Sequence, residues 1–219
     1  MGENDFRFSQ RFIDALNLSI EVHGEDVRKG TKIPYIAHLL GVCSLVLYDG
    51  GSEDEAIAAL LHDTLEDHPE NVKPEILTNR FGSEVLNIIR ACSDTPADYK
   101  GGQKPPWKER KEKYLVHLEN LFSGLSKGPE TSGERKRQAA KVLRVSLADK
   151  LDNVRSMVSD YRKAIHKSSG SGESFWGRFN AGKEHQLWYL ESLVAVYTMG
   201  HETVGSSTFL LEEFQRSVA

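Results

Sequence analysis

The stretch Ala58-Ala-Leu-Leu-His62-Asp63-Thr-Leu-Glu66-Asp67 holds four ionisable side chains within six positions. Drawn as one helix at ~100° per residue with His62 at zero, it puts Asp63 near ~100°, Glu66 near ~40° and Asp67 near ~140°. Ile57, Leu61 and Leu65 fall on the opposite side. A solvated face explains a bare His-Asp pair on a helix just as well, and two further residues shift the balance. The wheel of the preceding apolar segment surrounds His38 with Tyr35, Leu39, Val42, Cys43, Leu45 and Val46. Asp149 sits likewise among Val142, Leu143, Val145 and Ser146. A buried carboxylate without partners costs several kcal/mol, so Asp149 requires a cation, a set of donors or a metal. Two imidazoles and two carboxylates suit a borderline or hard divalent ion, with positions left open for water and a phosphate oxygen.

These residues must be positioned by helices, because helical spacing dominates and no alternating run is flanked by hairpin turns. The expected fold class is all-α. A first helix is expected over Ser9–His23, with Phe12, Leu16 and Ile20 on one stripe. After a charged loop, Gly24–Lys32, Pro34 suits the opening turn of a second helix that runs to about Tyr48. Ser52 followed by Glu55 predicts a capping box for a third helix ending near Asp67. Shorter helices follow over Pro74–Phe81 and Ser83–Cys92, then a Gly- and Pro-rich loop from Ser93 to Trp107. Trp107–Leu121 reads as a charged helix carrying the i,i+4 pairs Lys108/Glu112 and Glu109/Lys113. A second loop, Ser123–Gly133, leads to a long helix from about Glu134 to Ile165. A Ser/Gly-rich linker, Lys167–Ser174, precedes the last helices, Trp176–Met199 and Thr208–Arg216. One domain is expected over 1–219, with a motif core about 9–165 and C-terminal helices in 175–216.

Composition narrows the function classes. With 39% hydrophobic and 27% charged residues the chain suits a globular core. Its net charge of −4 argues against coating nucleic acid, whose affinity comes from Lys and Arg on phosphates. Cys43 and Cys92 are too few for a disulfide framework and fit a reducing cytoplasm. The longest strongly apolar run, Leu39–Tyr48, falls short of the ~20 residues of a membrane span, and the opening Met-Gly-Glu-Asn-Asp-Phe has no apolar signal region. A small-molecule partner in the cytoplasm is therefore expected, without membrane or nucleic acid, and the sequence leaves oligomeric state open.

The order His38, His62-Asp63, Asp149 resembles the metal-dependent HD phosphohydrolase superfamily. Longer stretches narrow the likeness: Arg28-Lys29-Gly30 before Ile33-Pro34-Tyr35-Ile36-Ala37-His38, then Ala58 to Asp67, then Leu147-Ala148-Asp149-Lys150-Leu151-Asp152-Asn153. Together they look like the hydrolase module of RelA/SpoT proteins, most of all the stand-alone small alarmone hydrolases, over about Ser9 to Arg155. The resemblance implies a single HD-type helical bundle that removes the 3′-diphosphate of guanosine or adenosine alarmones, with one Mn²⁺ bound. It implies His38, His62, Asp63 and Asp149 as metal ligands, and Glu66 and Asp67 as the pair that positions or deprotonates the attacking water. Arg28, Lys29 and Asn153 match residues around the nucleotide, and Lys150 is a candidate phosphate contact. The family usually has Pro where this chain has Leu39, and both long loops exceed those of compact members.

Other residues carry less. His23 matches a position often held by His in the family, or simply ends the first helix, where the dipole favours a cation. His68, His117, His166, His185 and His201 read as surface or capping residues, and Trp107, Trp176 and Trp188 as packing anchors. Lys104, Lys108, Arg110, Lys111, Arg135, Lys136 and Arg137 read more readily as a solvated face than as phosphate contacts, and Arg155 stays undecided. Two alternatives remain open: another HD phosphohydrolase such as a nucleoside 5′-phosphatase, and a catalytically idle nucleotide-binding HD domain. Glu66 and Asp67 count against the idle one, since pure binding needs no water-activating pair.

Overall fold

A computed structural model describes residues 7–96, 98–126, 132–167, 173–179 and 181–219. Residues 127–131 of the loop expected over Ser123–Gly133, most of the linker Lys167–Ser174, and the first six residues lie outside the described residues. The elements are α1 (Gln10–His23), α2 (Ile36–Tyr48), α3 (Glu53–Leu61), α4 (Thr64–Asp67), α5 (Pro74–Phe81) and α6 (Ser83–Cys92). They continue with α7 (Trp107–Ser123), α8 (Ser132–Lys167), α9 (Glu173–Trp176), α10 (Gly182–Val204) and α11 (Thr208–Val218). The fold is all-helical, and the sole bridge among the described residues pairs Val27 with Pro34.

Local chemistry sets the helix starts. Ser9 Oγ accepts from Arg11 N at 3.2 Å, capping α1. Ser52 and Glu55 form the expected capping box, and Pro74 occupies the first turn of α5. Glu55 is buried and also receives the Arg144 guanidinium, which reaches Asp49 at 2.8 Å as well. One side chain thus caps α3 and ties it to α8.

The core is built around α3, whose run Ala56–Leu61 is apolar all round and fully buried. It packs against α1, α2, α6 and α8. The long α8 continues past this cluster to α10 and α11, and α7 lies against α10. Gly200 permits that last approach, since a Cβ there would stand 2.8 Å from the Phe122 ring.

Two expected helices are divided. The one foreseen from Ser52 to Asp67 breaks at His62-Asp63, where Asp63 relaxes to φ −91°, ψ −6° and α4 starts afresh. The one foreseen from Trp176 begins at Gly182, whose left-handed φ of 70° separates it from α9. Apolar spacing joined segments that these backbone angles part.

Candidate metal centre and active site

Three separate elements bring the expected ligands together. His38 comes from α2, His62 and Asp63 from the turn between α3 and α4, and Asp149 from the middle of α8. One donor atom each of His38, His62 and Asp149 lies within 4.8 Å of the others, and all three residues are buried. His38 Nε2 is 3.3 Å from Asp149 Oδ1, and His62 Nε2 is 3.5 Å from the same oxygen. Asp63 Oδ2 flanks both imidazoles, at 3.0 Å from His62 Nε2 and 3.8 Å from His38 Nε2.

The far side of each ring is already occupied. His38 Nδ1 meets Asp152 Oδ2 at 2.6 Å, and His62 Nδ1 donates to the Ala59 carbonyl at 2.8 Å. With Nδ1 so engaged, Nε2 is the atom left to bind a metal once deprotonated. Without one, burial lowers the His62 pKa, but Asp63 and Asp149 outweigh it and hold it well above its usual value. Gly41 makes room for the first of these bonds, because a Cβ there would stand 2.4 Å from Asp152 Oδ1. His62 Nε2 is buried without a hydrogen-bond partner. An orphaned ring nitrogen facing two carboxylates fits a divalent cation, and this His/Asp group can hold one.

The carboxylates are held ionised. Burial pushes Asp149 upward, but the Lys150 ammonium, 2.5 Å from Oδ2, and the two imidazoles outweigh it and hold its carboxyl well below the usual range. Asn153 Nδ2 donates to Asp149 Oδ1 at 2.6 Å, and its Oδ1 accepts from Arg28 Nη2 at 3.0 Å. Burial also pushes Asp63 up, and His62 reverses the shift. Tyr35 Oη donates to Asp63 Oδ2 at 2.5 Å. The Val27–Pro34 bridge folds the loop so that Arg28 and Tyr35 reach these partners from either side. Lys29 is exposed in the same loop.

Glu66 and Asp67 lie on α4, one turn beyond Asp63, whose carbonyl accepts Asp67 N at 2.8 Å. Lys104, from the loop before α7, reaches both, at 3.1 Å from Glu66 Oε1 and 2.9 Å from Asp67 Oδ1. Glu66 also faces Arg110 Nη1 at 3.6 Å and accepts weakly from Ser93 Oγ and Asp94 N, each at 3.4 Å. Arg110 and Lys111 both bind Asp94. Burial and the charges of Asp94 and Asp63 raise the Glu66 carboxyl, against Lys104 and Lys111. Asp67 is raised by burial and by Asp63, against Lys104. A cleft of about 1000 Å³ opens beside this cluster, lined by Ser93, Asp94, Arg110 and Tyr114 among others.

Several sequence readings change here. Lys104, Arg110 and Lys111 are not a solvated face, whereas Lys108 is, with Glu112 at 3.8 Å, as is the exposed run Arg135–Arg137. Arg155 turns to Glu213 on α11 at 2.7 Å, away from the centre. His23 is buried rather than a bare helix end, and with Asp26 and His68 it forms a second cluster. Sequence reasoning also missed Asp152 and Tyr35 as partners of the ligands. Asp152 had one available signal, its position one helical turn after Asp149, while Tyr35 had only its place three residues before His38.

Comparison with known proteins accords with this geometry. The family model described as HD domain matches residues 15–184. The guanosine-3′,5′-bis(diphosphate) 3′-pyrophosphohydrolase MESH1 of Xenopus tropicalis is 36% identical over 148 residues, 66% of this chain and 68% of that protein. A guanosine-3′,5′-bis(diphosphate) 3′-pyrophosphohydrolase of Aquifex aeolicus is 32% identical over 71% of this chain, but the match spans 19% of that longer protein. Among solved structures, a metazoan ortholog of SpoT superposes with a TM-score of 0.65 at 20% identity, over 97% of this chain and 96% of the other. A Listeria monocytogenes EGD-e protein gives 0.54 at 22% identity, over 83% and 96%. The chain belongs to the HD domain family, on the branch that includes the Xenopus pyrophosphohydrolase.

Proposed function

We propose that this chain hydrolyses the 3′-diphosphate of guanosine 3′,5′-bispyrophosphate-type alarmones, releasing pyrophosphate and the nucleoside 5′-di- or triphosphate. The observation that carries the reading is the meeting of His38, His62 and Asp149 donors within 4.8 Å, in a chain 36% identical to a protein named for that reaction. His38, His62, Asp63 and Asp149 would hold one Mn²⁺. Bound there, the cation supplies Lewis acidity, lowering the pKa of a water and polarising a phosphoryl oxygen.

The chain's own groups do the rest. Glu66 and Asp67 take the proton of the attacking water, and their raised carboxyls make them better bases than exposed ones. The new bond joins that water oxygen to phosphorus, the bond from phosphorus to the 3′ oxygen breaks, and the 3′ oxygen leaves with the proton that the pair took from the water. Lys104 and Arg110 place positive charge beside the pair, where a phosphate would otherwise be repelled. Arg28, Lys29 and Asn153 bind the nucleotide, and Arg28 is oriented for this by Asn153. Lys150 balances Asp149 and offers charge to a phosphate. Residues 1–219 act as one unit in the cytoplasm, on a small nucleotide rather than nucleic acid. Among the described residues no helix is long and apolar enough to cross a membrane.

Product analysis tests the reading. Incubation of the guanosine tetraphosphate with the Mn²⁺-loaded protein should yield pyrophosphate and the nucleoside 5′-diphosphate in equal amounts. Orthophosphate as the product, or no turnover, would overturn it.

A further inference from the structure

His23 ends α1, Asp26 follows in the loop that carries Arg28, and His68 closes α4, yet their side chains converge. His23 Nδ1 stands 2.9 Å from Asp26 Oδ2, and His68 Nε2 stands 2.7 Å from the same oxygen across 42 positions of sequence. The three donor atoms all lie within 4.8 Å of one another, as do those of the centre described above. The two rings meet edge to face, with centroids 4.8 Å apart.

An exposed carboxylate has no need of two imidazoles, because water can supply its donors. Here one oxygen draws a nitrogen from each of two rings, and the His23 side chain is wholly buried to do so. Asp26 and His68 remain 36% and 20% exposed, so the cluster is walled on one side and open to water on the other. His68 Nδ1 lies 3.5 Å from Glu70 Oε1, the outward carboxylate that metal-bound imidazoles commonly carry. Two imidazoles, one carboxylate and a water make a four-coordinate N₂O₂ set, which suits zinc. With bonds near 2.0–2.2 Å the donors around zinc sit about 3.3 Å apart, so these contacts need to open by only about half an ångström.

We propose that His23, Asp26 and His68 form a second divalent-cation site, of the zinc type, separate from the centre at His38, His62, Asp63 and Asp149. The ion braces the loop bearing Arg28 against the end of the helix bearing Glu66 and Asp67. The two sites share no ligand, and between them stands Tyr35, whose ring stacks on His23 with centroids 5.2 Å apart while its hydroxyl donates to Asp63.

The test is zinc stoichiometry on the full chain, stripped with chelator and dialysed against Zn²⁺ alone, with metal and protein measured separately. The intact protein should hold two ions per chain, His68→Gln one, Asp149→Asn one, and the double variant none. Circular dichroism establishes that each variant is folded, and should His68→Gln fail that check, Asp26→Asn is to give the same loss of one ion. One ion in the intact protein that folded His68→Gln and Asp26→Asn both retain, or two ions in those variants, overturns the proposal. Failure of the main metal centre is distinguishable, since it would leave Asp149→Asn unchanged while His68→Gln still lost an ion.

Discussion

Single side chains decide how the centre is tuned, and Asp152 is the clearest of them. It binds no metal in this account, but it holds His38 in the tautomer and orientation that ligation needs. Asp152→Asn is expected to weaken Mn²⁺ about 10- to 100-fold, read as a rise in the metal concentration giving half-maximal activity. An unchanged metal dependence contradicts that role. Lys104 makes a different expectation, on pH. Glu66 acts as a base only when ionised, so kcat falls as pH drops through its raised pKa, and Lys104 is one of the charges holding that pKa down. Lys104→Gln removes the charge, Glu66 takes its proton at higher pH, and the acid limb of the kcat profile moves upward; a downward shift refutes the assignment. At this scale the sequence was legible where the chemistry was local. His62-Asp63 and Glu66-Asp67 fall within six positions, and His38 and Asp149 stood out as polar groups in apolar arcs. His68 was legible as a capping residue but not as a partner of Asp26, which lies 42 positions away where no periodicity reports a contact.

Helices convert those types into positions, and their ends matter more than their middles. The capping box of Ser52 and Glu55 starts α3, and the same Glu55 pairs with Arg144 of α8. Ser52→Ala should therefore lower stability by about 1 kcal/mol, measured as a reduced denaturant midpoint at constant slope. A change within error would mean that Glu55 holds its place without the cap. Boundaries carried by Pro, Gly and Ser were readable: Pro74–Phe81 and Ser83–Cys92 came out as foreseen, with Gly82 at φ 91° between them. The break at His62-Asp63 was not, since no Gly or Pro marks it. There His62 bonds the Ala59 carbonyl three residues back, and the Tyr35 hydroxyl, from outside the helix, bonds Asp63. The wheel drawn through this break loses little, because the turn stays close to helical, with Asp67 N still bonded to the Asp63 carbonyl.

Across the whole molecule, α8 connects chemistry to scaffold. Asp149 and Asp152 lie in its middle, Arg144 binds α3, and its flank packs on α10 and α11. Its buried Ser146 joins Tyr114 of α7 at 2.7 Å and Tyr197 of α10 at 2.6 Å, a hydrogen-bonded chain through the core. Phe214 of α11 is fully buried and meets the Tyr197 ring edge to face at 5.7 Å. Phe214→Ala should cost about 3–5 kcal/mol in denaturant unfolding. A loss below about 1 kcal/mol would show that α11 adds little to the core. The all-helical class followed from spacing alone, whereas the convergence of α2, the α3–α4 turn and α8 was foreseeable only through family resemblance. Anomalous X-ray scattering at the manganese edge, from crystals grown with Mn²⁺, puts that convergence to the test. A peak is expected within bonding distance of His38 Nε2, His62 Nε2, Asp63 and Asp149; no peak among those four side chains at full Mn²⁺ saturation would contradict a shared metal site.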